Sequence, residues 1–108
     1  MTSKILGLNL HRGKIALAER DFSLAIAYFS KAIIEEDVNN VENWCLLAES
    51  LFYLGAFDCS LHCWKTAAKK NPASRKIWTK ISALYALLNQ PKKAIKFYKV
   101  ANNFPFMS

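Results

Sequence analysis

The residues that could bind a metal are concentrated at one place in the chain. Cys59, His62 and Cys63 are three and four residues apart, which places them on one side of a helix with ligand types that zinc prefers. A structural zinc site needs four ligands, and no fourth residue accompanies these three. With Cys45, the chain has three cysteines and no Cys-x-x-Cys pair. We therefore expect reduced thiols in an intracellular compartment, with no metal and no cofactor.

Groups suited to catalysis are few and far apart. The two histidines, His11 and His62, lie in different parts of the chain, and there is no glycine-rich phosphate loop and no Gly-x-Ser-x-Gly motif. The acidic run Glu35-Glu36-Asp37 is typical of a solvated helix end rather than of paired catalytic carboxylates. We predict that the protein is not an enzyme and has no catalytic residues.

Charge is divided unevenly between the two halves of the chain. Residues 1–58 hold five basic and eight acidic side chains, whereas residues 59–108 hold ten basic side chains and no acidic one. The positive field of the second half attracts RNA, an acidic protein segment or anionic lipid. The competing interpretation is that these basic residues form a solvated outer face. The residues that we assign to this basic face are Lys65, Lys69, Lys70, Lys92, Lys93, Lys96 and Lys99.

RNA binding by a helical-repeat protein is the alternative function that this charge supports. Surfaces that bind RNA usually add arginine side chains and exposed stacking aromatics to the positive charge. Nine of the ten basic residues here are lysines. The aromatic residues of this half are expected to pack inside the fold: Trp64, Trp78, Phe97 and Tyr98. We therefore favour protein binding over RNA binding.

The elements that position these residues repeat along the chain. Trp44 and Trp78 are 34 residues apart, and small and large residues follow each of them at matching offsets. An upstream copy fits with a step of 35 residues. The 108 residues, of which 53% are hydrophobic, are enough for one domain of three copies. The copies span about residues 6–39, 41–74 and 75–108, which together form a single array over residues 1–108.

Each copy has the pattern of two helices that cross closely. Large residues recur at spacings of three and four, and the breaks contain helix-capping residues such as Asp21 and Ser74, or Pro91 at a first helical position. Three positions in each copy hold only glycine, alanine or serine, which lets two helices approach. These nine are Gly13, Ala25, Ala32, Ala48, Ser60, Ala67, Ser82, Ala94 and Ala101.

The repeat resembles the tetratricopeptide repeat (TPR) family, whose 34-residue units are helix–turn–helix pairs. The second copy is most similar, with Trp44, Leu47-Ala48, Leu51, Gly55-x-Phe57, Ser60, Trp64, Ala67 and Pro72 at the family's offsets. The third copy departs at Pro91, and the first has Asn9 and Arg12 where Trp and Leu are expected. The resemblance implies an all-α fold, a right-handed TPR-type α-solenoid with six helices.

The resemblance also implies a function, because family members bind extended peptides or helices in a concave groove lined by the first helix of each unit. We expect a non-catalytic scaffold that binds an unidentified protein partner, in which Lys14 and Glu49 set the polarity. Packing between repeats is the competing role for Leu17, Phe52 and Leu87. The groove positions are Leu10, Lys14, Leu17, Ala18, Glu42, Cys45, Glu49, Phe52, Tyr53, Lys76, Thr79, Ala83, Ala86 and Leu87.

One subclass of the family binds the acidic C-terminal tails of heat-shock chaperones through a clamp of lysine, arginine and asparagine. At the matching positions this chain has Leu10, Lys14, Leu46, Thr79 and Ala83. Only Lys14 supplies a cation or an amide donor, and a free carboxylate needs several such groups that converge. We therefore do not expect a chaperone tail as the partner.

The two ends of the sequence carry expectations of their own. Residues 1–18 contain no acid, as in a mitochondrial transit peptide, but we favour an ordinary first helix because the repeat needs these residues. The third copy ends in the apolar segment 103–108, without the polar helix that usually closes such an array, so self-association there is expected. No apolar stretch is long enough to span a membrane. We expect the cytoplasm; nuclear, ciliary and mitochondrial locations remain open.

Overall fold

The computed structural model describes residues 7–105. Within this range the chain forms six α-helices and no strand, as predicted. The helices are α1 (Leu8–Ala18), α2 (Phe22–Lys31), α3 (Val41–Leu54), α4 (Phe57–Lys70), α5 (Arg75–Leu87) and α6 (Pro91–Ala101). Consecutive helices pack against each other as three pairs, and α3 packs on α2 as α5 packs on α4. None of these helices is long and apolar enough to cross a membrane.

The helix starts follow the capping residues in the sequence. The carboxylate of Asp21 accepts from the N–H of Leu24 at 3.2 Å, and the hydroxyl of Ser74 accepts from the N–H of Ile77 at 3.3 Å. Asn40 caps α3 in the same way, and Pro91 is the first residue of α6. Each side chain satisfies a backbone donor that the first helical turn leaves open, and proline has no such donor.

The turn inside each pair requires one residue with left-handed backbone geometry. Gly55 adopts φ 91° after α3, and Arg20 and Asn89, at the equivalent positions of the other two pairs, adopt φ 62° and 59°. Glycine reaches this region without steric cost, asparagine at a small cost and arginine at a larger one. The three turns therefore have the same geometry with different amounts of strain.

The nine small residues predicted at the helix crossings are all buried. Gly13 lies against the ring of Phe29, so a Cβ atom at Gly13 would overlap the nearest ring carbon. In the other two pairs a serine hydroxyl bridges the crossing. Ser60 donates to the carbonyl of Ala48 at 2.7 Å, and Ser82 donates to the carbonyl of Ala94 at 2.6 Å.

The tryptophans that define the repeat hold the loops between the pairs. The indole N–H of Trp44 donates to the carbonyl of Val38 at 2.8 Å, and that of Trp78 donates to the carbonyl of Pro72 at 2.7 Å. In both cases the acceptor lies six residues before the tryptophan. The 34-residue spacing of the two tryptophans is therefore also a spacing of equivalent hydrogen bonds.

The first pair replaces the tryptophan contact with another one. Asn9 occupies the equivalent position in α1, and its backbone N–H donates to a carboxylate oxygen of Glu36 at 2.9 Å. Glu36 ends a π-helical turn, Ala32–Glu36, that continues α2. Because Gly7 precedes α1 and has no side chain to cap it, this distant carboxylate satisfies a donor of the first turn.

The chain after α6 turns back toward the start of α5. The Arg75 guanidinium donates to the carbonyl of Phe104 at 3.3 Å and to the side-chain oxygen of Asn102 at 3.2 Å. Residues 106–108 of the apolar tail lie outside the described residues. The part of the tail that is described is therefore attached to its own helix pair.

Candidate peptide-binding groove

The predicted groove residues divide into two sets by exposure. Leu10, Leu17 and Cys45 are half-buried and pack against the core. Glu49 is also half-buried. The remaining predicted residues are exposed on the first helices: Lys14, Ala18, Glu42, Phe52, Tyr53, Lys76, Thr79, Ala83, Ala86 and Leu87. The exposed set lies where a partner could reach it, whereas the half-buried set contributes mainly to packing between the helices.

Two ion pairs join successive first helices. The ammonium of Lys14 on α1 is 3.0 Å from a carboxylate oxygen of Glu42 on α3, and that of Lys76 on α5 is 3.7 Å from Glu49 on α3. Lys14 and Glu49 occupy equivalent positions in successive repeats, and so do Glu42 and Lys76. The same two positions therefore form an ion pair twice, with the positive and negative charges exchanged. Each exposed pair contributes about 0–1 kcal/mol to stability. The charges of Lys14 and Glu49 are thus offset by neighbours, which sequence reasoning did not anticipate.

A cleft of about 510 Å³ opens between α3 and α5. Two fully buried side chains, Trp64 and Leu84, form its floor. Its walls are largely apolar, with one cation and one carboxylate at the edge. The lining residues are Glu49, Phe52, Tyr53, Trp64, Lys80, Ala83, Leu84, Ala86 and Leu87. A preformed apolar cleft with few polar groups is the usual form of a binding site.

An aromatic cluster extends the α3 wall of the cleft. The rings of Phe22 and Tyr53 stack with centroids 5.2 Å apart, Tyr53 meets Phe52 edge to face at 5.7 Å, and Phe52 contacts Phe57 at 5.4 Å. The guanidinium of Arg20 lies 5.3 Å from the ring centre of Phe22. These contacts hold Phe52 and Tyr53 in place while leaving them 37% and 55% exposed.

Two of the three cysteines, Cys45 and Cys63, are poor candidates for chemistry. Burial raises the pKa of Cys45 to about 11, although nearby Lys76 opposes the shift. Burial, with a smaller contribution from Cys59, raises the pKa of Cys63 to about 11. Both thiols are therefore protonated at neutral pH, and a protonated thiol is a weak nucleophile and ligand. Among residues 7–105 no group of three His, Cys, Asp or Glu side chains is placed to hold a metal ion.

The basic face is built around packed aromatic rings. Phe97 stacks between Trp78 and Tyr85, with centroid distances of 5.7 and 5.3 Å. Lys65 and Lys93 lie 5.8 and 5.5 Å from the ring centre of Tyr85, Lys96 lies 5.4 Å from that of Phe97, and Lys70 lies 6.0 Å from that of Trp44. The remaining residues of this face, Lys69, Lys92 and Lys99, are exposed.

One aromatic residue differs from expectation. Trp64 is buried, and Trp78 and Phe97 are partly buried against the core, as the packing role predicted. Tyr98 was assigned the same role, but it is 55% exposed because no described element packs on the outer side of α6. The prediction that Tyr98 packs inside the fold was therefore wrong.

The similarity of this chain to known proteins is seen in its structure. No protein-family model matches the sequence, and no curated protein matches it. The solved structure MamA MSR-1 C2 superposes with a TM-score of 0.82 at 22% identity, over 88% of this chain and 54% of that one. The CopN-Scc3 complex superposes with a TM-score of 0.82 at 19% identity, over 86% and 54%. The chain has a TPR-type fold. It spans about half the length of these two solved chains.

Three cleft residues were not among the predicted groove positions. Trp64 and Leu84 form the floor of the cleft, and Lys80 stands at its edge. Lys80 is three residues before Ala83, so the helical spacing of the predicted positions was a usable signal for it. The floor residues gave no such signal, because their apolar spacing is the same as that of any core residue.

Proposed function

We propose that the chain is a non-catalytic protein-interaction scaffold that binds a peptide or helix of a partner protein in the groove along α1, α3 and α5, as part of a larger complex. The observation that carries the proposal is the cleft between α3 and α5. Phe52 and Tyr53 remain exposed beside a cleft whose floor is already packed. Exposed aromatics on a rigid wall are typical of the residues that dominate binding energy at protein interfaces.

The geometry favours an apolar side chain of the partner as the anchor. The cleft volume of about 510 Å³ is within the range of ligand-binding clefts. The aromatic cluster fixes the rotamers of Phe52 and Tyr53, so little conformational entropy is lost when a partner binds. Lys80 and the Lys76–Glu49 pair lie beside the cleft and supply the polar contacts that set the partner's direction.

The remaining predicted groove residues have supporting roles in this proposal. Lys14 and Thr79 are exposed contacts on α1 and α5. Leu10, Leu17 and Cys45 line the inner face from partly buried positions. The non-catalytic part of the proposal is supported by the raised pKa of the Cys45 and Cys63 thiols, because a protonated thiol is a weak nucleophile.

The proposal includes the organisation and the location of the chain. Repeats of about 6–39, 41–74 and 75–108 form one array, which is supported by the packing of each helix pair on the next. An intracellular, cytoplasmic location is supported by three cysteines that are all free.

A capture experiment tests the groove. The tagged 108-residue chain is used to purify partners from a lysate, beside the variants Phe52→Ala and Tyr53→Ala and the control Ile34→Ala. Ile34 is 82% exposed and lies outside the cleft, so it matches the loss of apolar surface. We expect both cleft variants to reduce recovery of the partner about tenfold, with no change for Ile34→Ala. Equal recovery by all variants, with helicity retained, would rule out the groove as the binding site.

RNA binding through the basic face is the second candidate function, favoured by the lack of any acidic residue after Asp58. Titration of a labelled single-stranded RNA at several salt concentrations tests it. If RNA is the ligand, the logarithm of affinity falls steeply with the logarithm of salt concentration, and Lys92→Gln and Lys99→Gln each make this slope shallower by about 1. Binding too weak to measure at physiological salt would remove this candidate.

A further inference from the structure

The outer side of α6 carries two exposed apolar residues at positions that are buried or half-buried in the other pairs. Ile95 and Tyr98 are 57% and 55% exposed. Thirty-four residues earlier, Leu61 and Trp64 of α4 are 9% and 1% exposed. The position of Tyr98 is held in α2 by Phe29, which is fully buried. The same repeat position is therefore core in two helices and surface in the third.

The reason for this difference is the helix that follows each pair. α3 packs on α2, and α5 packs on α4, whereas α6 packs on α5 and no later described element packs on it. The packing of α5 on α4 therefore indicates how a further helix would lie on α6. A helix lying on α6 as α5 lies on α4 would cover Ile95 and Tyr98, two apolar anchors that are three residues apart on one face.

The neighbouring surface of α5 allows such a helix to approach. Thr79, Ala83 and Ala86 are exposed, and all three have small side chains. They lie at spacings of three and four, so they form a continuous stripe along α5. Small residues on one helix and larger apolar residues on the next form a shallow trough for a third helix. We call this surface the end face: Thr79, Ala83, Ala86, Ile95 and Tyr98.

The charge around the end face selects the occupant. Lys92, Lys96 and Lys99 are exposed on α6, the helix that carries Ile95 and Tyr98. The sequence contains no acidic residue after Asp58. A helix that buries its apolar stripe here places its flanking residues next to these ammonium groups, so acidic flanking residues are favoured and basic ones are repelled.

A second copy of the chain does not satisfy this requirement. Stacking the next copy end to end would place α1 on the end face, and α1 carries the exposed Arg12 where α3 has Leu47 and α5 has Ile81. Arg12 would then meet the lysines of α6. Two end faces packed against each other would oppose lysine to lysine. Like charges in contact disfavour both arrangements.

We propose that the end face binds an acidic amphipathic helix of a partner protein, which continues the stack as α5 does on α4. The end face adjoins the cleft of the proposed function, because Ala83 and Ala86 line both, whereas Ile95 and Tyr98 lie outside the cleft and distinguish the two sites. The expected ligand has leucine-like residues at helical spacing, flanked by glutamate or aspartate. This contact would replace the self-association predicted for the same end.

Two synthetic peptides test the proposal with the 108-residue chain. The first is a capped helical peptide of about 18 residues with leucines at i, i+3, i+4 and i+7 and glutamate elsewhere, and the second has lysine in place of glutamate. We expect only the glutamate peptide to bind in calorimetric titrations. The NMR amide shifts that it causes should lie in α5 and α6 around Thr79, Ala86, Ile95 and Tyr98.

Substitutions separate this contact from general charge attraction and from the groove. Tyr98→Ser and Ile95→Ser keep every lysine, and both residues are exposed, so the fold should persist. Each should weaken binding of the glutamate peptide about tenfold, while Tyr53→Ala and Ile34→Ser leave it unchanged.

Four results with the peptides would overturn the proposal. They are no binding of the glutamate peptide, equal binding of the lysine peptide, binding that Tyr98→Ser does not weaken, and amide shifts centred on Phe52 and Tyr53. A dimer in sedimentation velocity that Tyr98→Ser abolishes would also overturn it, because the occupant would then be a second copy.

Discussion

At the crossing of the first helix pair, the backbone of Gly13 lies directly against the ring of Phe29. At the crossing of the third pair, Ser82 donates a hydrogen bond to the carbonyl of Ala94. Both arrangements bring two helices close together, one by omitting a side chain and the other by bridging the gap with a short polar one. The first depends on shape alone, and the third tolerates changes that retain a small side chain.

The first and third pairs also differ in their contacts with the second pair, which lies between them. α3 places Asn43 in the core next to the first pair, 1% exposed, and its side-chain oxygen has no hydrogen-bond partner. α5 places Ile77 at the equivalent position, 2% exposed. The contact between the first and second pairs thus contains an unsatisfied polar group. At the equivalent position, the contact between the second and third pairs is apolar. We expect the N-terminal part of the array to be the less stable part.

Gly13→Val should have the largest effect, because it attacks the crossing that depends on shape. A Cβ atom at Gly13 would overlap two ring carbons of Phe29, and that ring is fully buried and has little room to move. We expect a loss of about 2–3 kcal/mol in the free energy of unfolding, measured by urea denaturation. Ala18→Val, on the exposed side of the same helix, is the control and should cost less than about 1 kcal/mol. Because valine has a higher helix propensity than glycine, propensity opposes the loss at Gly13, and a loss no larger than that of the control would show that the ring of Phe29 moves aside.

Asn43→Val should remove the polar defect from the first contact. Valine is smaller than the isoleucine found at the equivalent position, so it fits with little risk of overpacking. The unsatisfied carbonyl oxygen is lost, and we expect a gain of about 1–2 kcal/mol in the free energy of unfolding. Hydrogen exchange should slow in α1 and α2 more than in α6. A loss of stability would mean that Asn43 makes a hydrogen bond in solution.

Ser82→Ala should weaken the third pair by a smaller amount. The variant removes the hydrogen bond to Ala94 but leaves a small residue at the crossing, so packing is retained. We expect a loss of about 1 kcal/mol, and a similar one for Ser60→Ala. Ser23→Ala, on the exposed surface of α2, is the control. A change no larger than the control would show that the two hydroxyl bonds do not contribute to stability.

The sequence predicted those features that arise within one repeat. The nine small residues and the capping residues Asp21 and Ser74 follow from local geometry, which spacing and residue type reveal. The ion pairs and the cleft floor depend on how far one pair slides along the next, and 34-residue periodicity does not specify this offset. Tyr98 shows the same limit, because its repeat position indicates burial only when another helix follows.

The smallest expected effect concerns the turns inside the first and third pairs. Asn89 adopts φ 59° in the third pair and Arg20 adopts φ 62° in the first, where the second pair has Gly55. Asn89→Gly removes the steric cost of the left-handed conformation, but it also increases the entropy of the unfolded chain, so we expect a net gain of about 0.5 kcal/mol.

Arg20→Gly should behave differently, although the backbone change is the same. The left-handed backbone conformation costs arginine more free energy than asparagine. The Arg20 guanidinium, however, lies 5.3 Å from the ring centre of Phe22, and substitution by glycine removes that contact. The two terms are of similar size, about 0.5–1 kcal/mol each, so the net change should be close to zero. Measuring Arg20→Gly beside Arg20→Asn separates them, because asparagine lacks the guanidinium and lowers the strain only in part. If Arg20→Gly stabilises the chain by more than Asn89→Gly does, the cation–π contact contributes nothing and backbone strain alone distinguishes the two turns.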